Sequence, residues 1–301
     1  MFFRRVLFQV TAITECLLNG SCESHCKECR FQKCIQNGML YVPSRGLQSR
    51  QYKDMQAALI FNLQQFDANR VYKLENCYIP GDPTVMEVAK SGRLNFQKRP
   101  AGVVMDSMEW GFISGLATID FIQKVPCIQS LGIEDQEIVF RKCFIPLSLL
   151  ADTMRAISRK NDFICFPDGT EIVEMNNRFV SRKFDEFLRS RLAGKANELK
   201  LTIEEVLLLS MVVITASVFP GLSNSAQASL DLEKKLHASA LFNFCLLSHG
   251  LNGPARYVDV LGLLQVAMKT EMEIGQYYHL RGMNNDQVVV KRLFRPDVIR
   301  D

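Results

Sequence analysis

Apolar residues recur at a helical period along most of this chain. The spacing predicts helices over residues 52–69, 106–124, 134–157, 176–193, 229–248 and 255–280. The most apolar run, residues 206–219, lies between Glu204-Glu205 and Pro220 and is too short to cross a bilayer. It predicts a buried core helix, and no membrane association is expected. Thr202 and Glu205 stand at its start with the spacing of a capping box, in which each side chain satisfies a backbone donor. One stretch breaks the rhythm: residues 163–173 place two apolar runs around Pro167-Asp168-Gly169, which predicts a small β-hairpin. On the last long helix, Tyr257, Leu261, Leu264, Met268 and Met272 form one apolar stripe. Such a stripe is more often core than interface, and it serves either role.

Ahead of the first helix, Pro43-Ser44-Arg45-Gly46 reads as a turn or hinge. Hydrophobic residues make up 48% of the chain and no repeat interrupts it, enough for one sizeable core after the hinge. Charge is less evenly spread. Residues 1–53 carry Arg4, Arg5, Lys27, Arg30, Lys33, Arg45, Arg50 and Lys53 against Glu15, Glu23 and Glu28, a net of +5, while the whole chain is +4. A small basic module on a near-neutral body fits weak, salt-sensitive contact with nucleic-acid phosphates. It fits a solubility or nuclear-entry role equally well. Catalysis finds no support: the sequence lacks a phosphate-binding glycine loop, a His-Glu-x-x-His helix and a Gly-x-Ser-x-Gly elbow, and its four histidines are scattered singly.

Five of the ten cysteines fall between Cys16 and Cys34. Thiols this dense, with a Cys-x2-Cys pair at Cys26 and Cys29, read as zinc ligands rather than as a disulfide framework. The alternative is a metal-free segment with reduced thiols.

The run Cys26-x2-Cys29-Arg30-Phe31-x-Lys33-Cys34-x3-Gly38-Met39, preceded by Phe2-Phe3-Arg4-Arg5, resembles the second zinc module of the nuclear hormone receptor DNA-binding domain. The resemblance implies that Cys16, Cys22, Cys26 and Cys29 hold one zinc, with Cys34 packed in the following helix. Arg4, Arg5, Arg30 and Lys33 would then contact DNA phosphates, which position a protein without specifying a sequence. In the family two further Cys-x2-Cys pairs stand upstream and the loop matching Cys22 to Cys26 is longer, so weak DNA contact is the expectation here.

Further along, Trp110 to Phe140 resembles the signature of the family's ligand-binding domain, most like the divergent nematode-type receptors. Lys124 and Pro126 close one helix, and Leu131-x3-Asp135-Gln136 opens the next. Implied is a mainly α fold, a multi-helix ligand-binding-type bundle with one small β-hairpin, preceded by a small zinc-binding module. The domains read as a partial zinc-finger DNA-binding domain at 1–42, a hinge at 43–51 and a ligand-binding-type domain at 52–301. By the same resemblance Trp110, Ile113, Ala117 and Phe121, with Met105 and Met108 upstream, line a pocket for a small apolar ligand; simple core filling is the other reading. Lys124 either caps a transcriptional coregulator helix or is only a cation at a helix C-terminus. Residues 285–301 lack the apolar-apolar-x-Glu-apolar-apolar pattern, so the usual activation helix is absent or altered. The expected function is a nuclear transcription factor, not an enzyme, acting through DNA and protein contacts and forming homo- or heterodimers through its last long helix. The alternative is an interaction protein that does not bind DNA and restrains intact receptors by dimerising with them.

Overall fold

Asp106 opens the central helix by accepting the Glu109 N–H at 2.8 Å, and the buried residues that follow carry that helix through the interior. The computed structural model of the chain describes residues 48–173, 182–216, 219–284 and 290–295. Its contacts divide the chain at Asn69/Arg70 into two units. In the first, the described residues belong to helix α1 (Gln48–Asn76), which continues into the second; Ala58, Asn62, Leu63 and Phe66 are its buried positions there. The periodic pattern predicted this helix only to residue 69. Its last turns are held by Arg99, whose guanidinium donates to the carbonyls of Leu74 (2.8 Å), Glu75 (3.3 Å) and Cys77 (2.9 Å), groups a helix end leaves unpaired.

The second unit follows as β1 (Cys77–Tyr78), α2 (Val85–Ser91), β2 (Gln97–Lys98), α3 (Ser107–Gln123), α4 (Pro126–Gln129), α5 (Ile133–Ser158), α6 (Arg182–Glu198), α7 (Ile203–Ala216), α8 (Asn224–His249) and α9 (Gly253–Asn284). A 3-10 turn, Arg292–Phe294, completes it. Helix α5 packs against α2, α3, α6, α7 and α9, while α9 also meets α6, α7 and α8. Helix α7 is buried at every position from Glu205 to Thr215, as its unbroken apolar run requires. The expected capping box is present: Thr202 N donates to Glu205 Oε2 at 3.0 Å and Glu205 N to Thr202 Oγ1 at 3.3 Å.

The mainly helical expectation is met, and the sheet lies elsewhere than expected. Strands β1 and β2 pair antiparallel, Cys77 with Lys98 and Tyr78 with Gln97. At residues 163–173 the Pro167-Asp168-Gly169 turn forms, closed by Phe166 N to Thr170 O at 2.8 Å, with a single bridge between Cys165 and Glu171. Its flanks do not extend as a ladder because Ile164, Cys165, Phe166, Ile172 and Val173 are buried in the interior. Among the described residues no helix is long and apolar enough to cross a membrane.

Candidate functional site

Helix α3 carries the residues in question, and it is buried on nearly all sides. Met105, Trp110, Ile113, Ala117 and Phe121 are buried, and Met108 is half-buried. Trp110 Nε1 donates to Asp168 Oδ2 at 2.8 Å, its ring stacks on Phe166 at 6.1 Å between centroids, and the Arg99 guanidinium lies 4.4 Å from its centroid. The indole thereby joins the end of α1, the start of α3 and the turn at Asp168. Burial pushes the Asp168 carboxyl up, but hydrogen bonds from Thr170 and Trp110 outweigh it and hold the group below its ordinary value. At the other end of the stripe the Arg70 guanidinium sits 5.7 Å from the Phe121 ring.

A polar layer that the periodicity did not reveal lies between α3 and α5. Ser148 Oγ donates to Thr118 Oγ1 at 2.8 Å, Ser114 Oγ reaches Asp152 Oδ2 at 3.4 Å, and Asp152 is ion-paired with Arg155. Asp152 is 2% exposed, so this pair neutralises itself away from water. The Arg155 Nε–H is buried and has no acceptor among the described residues. Such a layer can hydrogen-bond one neutral polar group in otherwise apolar surroundings. The available sequence signal was Ser148 and Asp152, one turn apart inside an apolar helical stripe.

Lys124 caps the C-terminus of α3. Its ammonium is 3.0 Å from Asp120 Oδ2, and Lys73 reaches Asp120 Oδ1 at 2.7 Å. Burial lowers the Lys124 pKa, with Asp120 opposing the shift. The neighbouring Asp-Gln pair has a clear structural task. Asp135 accepts from Ser223 N and Ser223 Oγ, each at 2.8 Å, while Gln136 Nε2 donates to Leu131 O at 2.9 Å. Asp135 thus steadies the N-cap serine of α8, and Gln136 closes the turn before α5.

On α9, Met268 and Met272 are exposed, whereas Tyr257, Leu261 and Leu264 are half-buried. Tyr257 meets Phe242 of α8 edge-on at 5.4 Å. The stripe therefore packs at its start and opens to solvent further on. His237 is a core residue: burial pushes its imidazole down to about 4, and Nδ1 lies 3.5 Å from Thr215 Oγ1. Cys16, Cys22, Cys26, Cys29, Arg4, Arg5, Arg30 and Lys33 lie outside the described residues. Among the described residues no three metal-ligating side chains converge.

Comparison with known proteins matches residues 95–283 to the ligand-binding domain of nuclear hormone receptor. The chain is similar to nuclear hormone receptor family member nhr-167 of Caenorhabditis elegans, 30% identical over 99% of this chain and 90% of that protein. It is similar to member nhr-9 of the same organism, 30% identical over 97% of this chain and 87% of that protein. Member nhr-27 is 27% identical over 93% of this chain and 80% of its own length.

Proposed function

Because the chain belongs to the nuclear hormone receptor family, we propose that it is a nuclear transcription regulator responsive to a small, mostly apolar ligand. The carrying observation is the buried polar layer between α3 and α5, where the Arg155 Nε–H faces no acceptor among the described residues. A ligand suited to it presents one neutral hydroxyl or carbonyl on an apolar frame, since Asp152 and Arg155 already balance their charges. Trp110, Ile113, Ala117 and Phe121, with Met105 and Met108, supply apolar surface on the same helix or just before it. Lys124 serves the coregulator surface at the end of α3.

In the N-terminal segment Cys16, Cys22, Cys26 and Cys29 hold one zinc, and Arg4, Arg5, Arg30 and Lys33 contact DNA phosphates. Similarity over 99% of the chain supports carrying the family reading through this segment. Exposed Met268 and Met272 favour dimerisation through α9, and with it the second reading, an interaction protein that restrains other receptors.

Three measurements on the full chain test these readings. Mass spectrometry of an organic extract should find an apolar molecule bearing one polar group, retained less by a Ser114→Ala variant; no extracted molecule and no effect of the variant would sink the ligand reading. Elemental analysis should give one zinc per chain, lost in Cys16→Ser. DNA binding should appear at low salt and fade as salt rises; its absence at low salt leaves the interaction-protein reading.

A further inference from the structure

Gly111 and Gly115 stand one turn apart on α3 and leave a notch filled from the far end of the sequence. A Cβ on Gly115 would lie 3.0 Å from Leu293 Cδ2 and 3.2 Å from the Phe144 ring; one on Gly111 would lie 3.8 Å from Phe294 Cζ. Leu293 is 1% exposed although it sits in a three-residue 3-10 turn. Beside it, Phe294 meets Phe144 of α5 at 6.0 Å between centroids, and the Lys291 ammonium is 5.3 Å from the centroid of Phe112. The outer side is polar. Arg292 N donates to Asp82 Oδ1 at 3.0 Å, and its guanidinium donates to Asp82 O at 3.3 Å and to Glu87 Oε1 at 2.8 Å. Arg141 donates to the Arg295 carbonyl at 3.3 Å.

We propose that residues 291–295 are a tethered plug: the chain's own Leu293 and Phe294 occupy an apolar notch on α3 and α5, which an outside apolar group can enter only by displacing them. This goes beyond the proposed function and holds or fails independently of zinc, DNA or the ligand discussed above. The construction has two separable parts. One leucine and one phenylalanine fill the notch, and a half-exposed charge pair holds the turn from outside, with Arg292 and Glu87 side chains 47% and 49% exposed. Exposed pairs contribute little each, and a turn of three residues has few contacts to lose. The plug therefore opens without unfolding the body, as weakly held segments do. An apolar group that binds only the vacated notch has its apparent affinity reduced by the fraction of molecules that are open.

The test uses the full chain and two readouts, trypsin cleavage after Lys291 and Arg292 under native conditions and titration with the apolar dye anilinonaphthalene sulfonate. Cleavage reports the population of the open form when reclosing is fast. A paired Asp82→Asn, Glu87→Gln variant keeps both cleavage bonds and should raise the rate about five- to tenfold, from two weakened surface contacts. Leu293→Ser should raise it about thirtyfold, from loss of a buried leucine. Dye affinity should rise in the same order, with the melting of the helical body preserved. Cleavage after Arg292 as fast in the parent as in a denatured chain overturns the proposal. So does dye affinity that stays fixed while cleavage accelerates, because the segment would then cover no binding surface.

Discussion

Replacing Arg256 with methionine should make the stability penalty depend on pH in a direction set by Glu205. Glu205 is fully buried, and Arg256 holds it with two bonds of 2.6 Å, Nε to Oε1 and Nη2 to Oε2. Arg256 also donates to the carbonyls of Leu199 and Lys200, just past the end of α6. Burial pushes the Glu205 carboxyl up, but the Arg256 hydrogen bonds and the Thr202 N–H outweigh it, so its folded pKa lies below the ordinary value. In the parent this stabilisation is present above the unfolded pKa of about 4.3 and is lost as pH falls through the lower folded pKa. Methionine leaves a buried carboxylate without its counter-ion, and the folded pKa then rises above 4.3 or so. The variant's penalty should be about 3–5 kcal/mol at pH 7, roughly 10 °C in melting temperature. It should shrink toward about 1–2 kcal/mol near pH 4.5, where a proton replaces the lost cation and only the two carbonyl bonds stay broken.

The assay is thermal unfolding by circular dichroism from pH 4.5 to 8, plotted as variant minus parent. His237, pushed down to about 4, and Glu271, raised by burial to about 7, titrate in the same window with opposite signs, and both cancel in that difference. A penalty below about 1 kcal/mol at pH 7, or one that is flat across the range, refutes the reasoning. A Glu205→Leu, Arg256→Met pair should recover much of the loss, since removing both charges removes the desolvation cost.

Other substitutions probe the remaining contacts. Asp120→Ala takes the shared counter-ion from Lys73 and Lys124 and should cost about 2–3 kcal/mol, against about 1 kcal/mol for Lys124→Ala, as read by urea unfolding. The reverse order would show that the lysine, not the aspartate, holds the cluster together. Asp168→Ala leaves the buried Trp110 N–H without its acceptor and should cost about 1–3 kcal/mol. Because Trp110 is the sole tryptophan, its single indole proton signal should also move; an unmoved signal refutes the contact. A Met268→Glu, Met272→Glu pair should abolish self-association in sedimentation while changing stability by less than about 0.5 kcal/mol, because both side chains are exposed.

Helices were legible where the information is local. Asp106, Thr202 and Glu205 are capping residues whose effect depends only on the next few positions, and the structure places each at the predicted helix start. Helix α6 continues to Glu198 past the expected end at residue 193, and residues 174–181, where its expected start falls, lie outside the described residues. The two-residue strands β1 and β2 are too short to carry a period of two, so no pattern could announce them. The burial of Trp110, Ile113, Ala117 and Phe121 followed from helical spacing. The polar layer did not, because Ser114 and Asp152 meet only through the packing of two helices 38 residues apart. Nothing near Leu293 marks it as core either. Its burial comes from the missing side chain at Gly115, a fact of tertiary structure.

The pairing of Arg292 with Asp82 also sets an order in time. The two residues stand 210 positions apart, and a ribosome adding about 5–20 residues per second needs roughly 10–40 s to pass from one to the other. Throughout that interval α3 and α5 exist without Leu293 and Phe294, so the newborn chain displays an uncovered apolar notch beside Phe144. Any premature halt in translation before residue 290 would make that display permanent, and a chaperone that surveys exposed apolar surface would retain the truncated product and release the finished one.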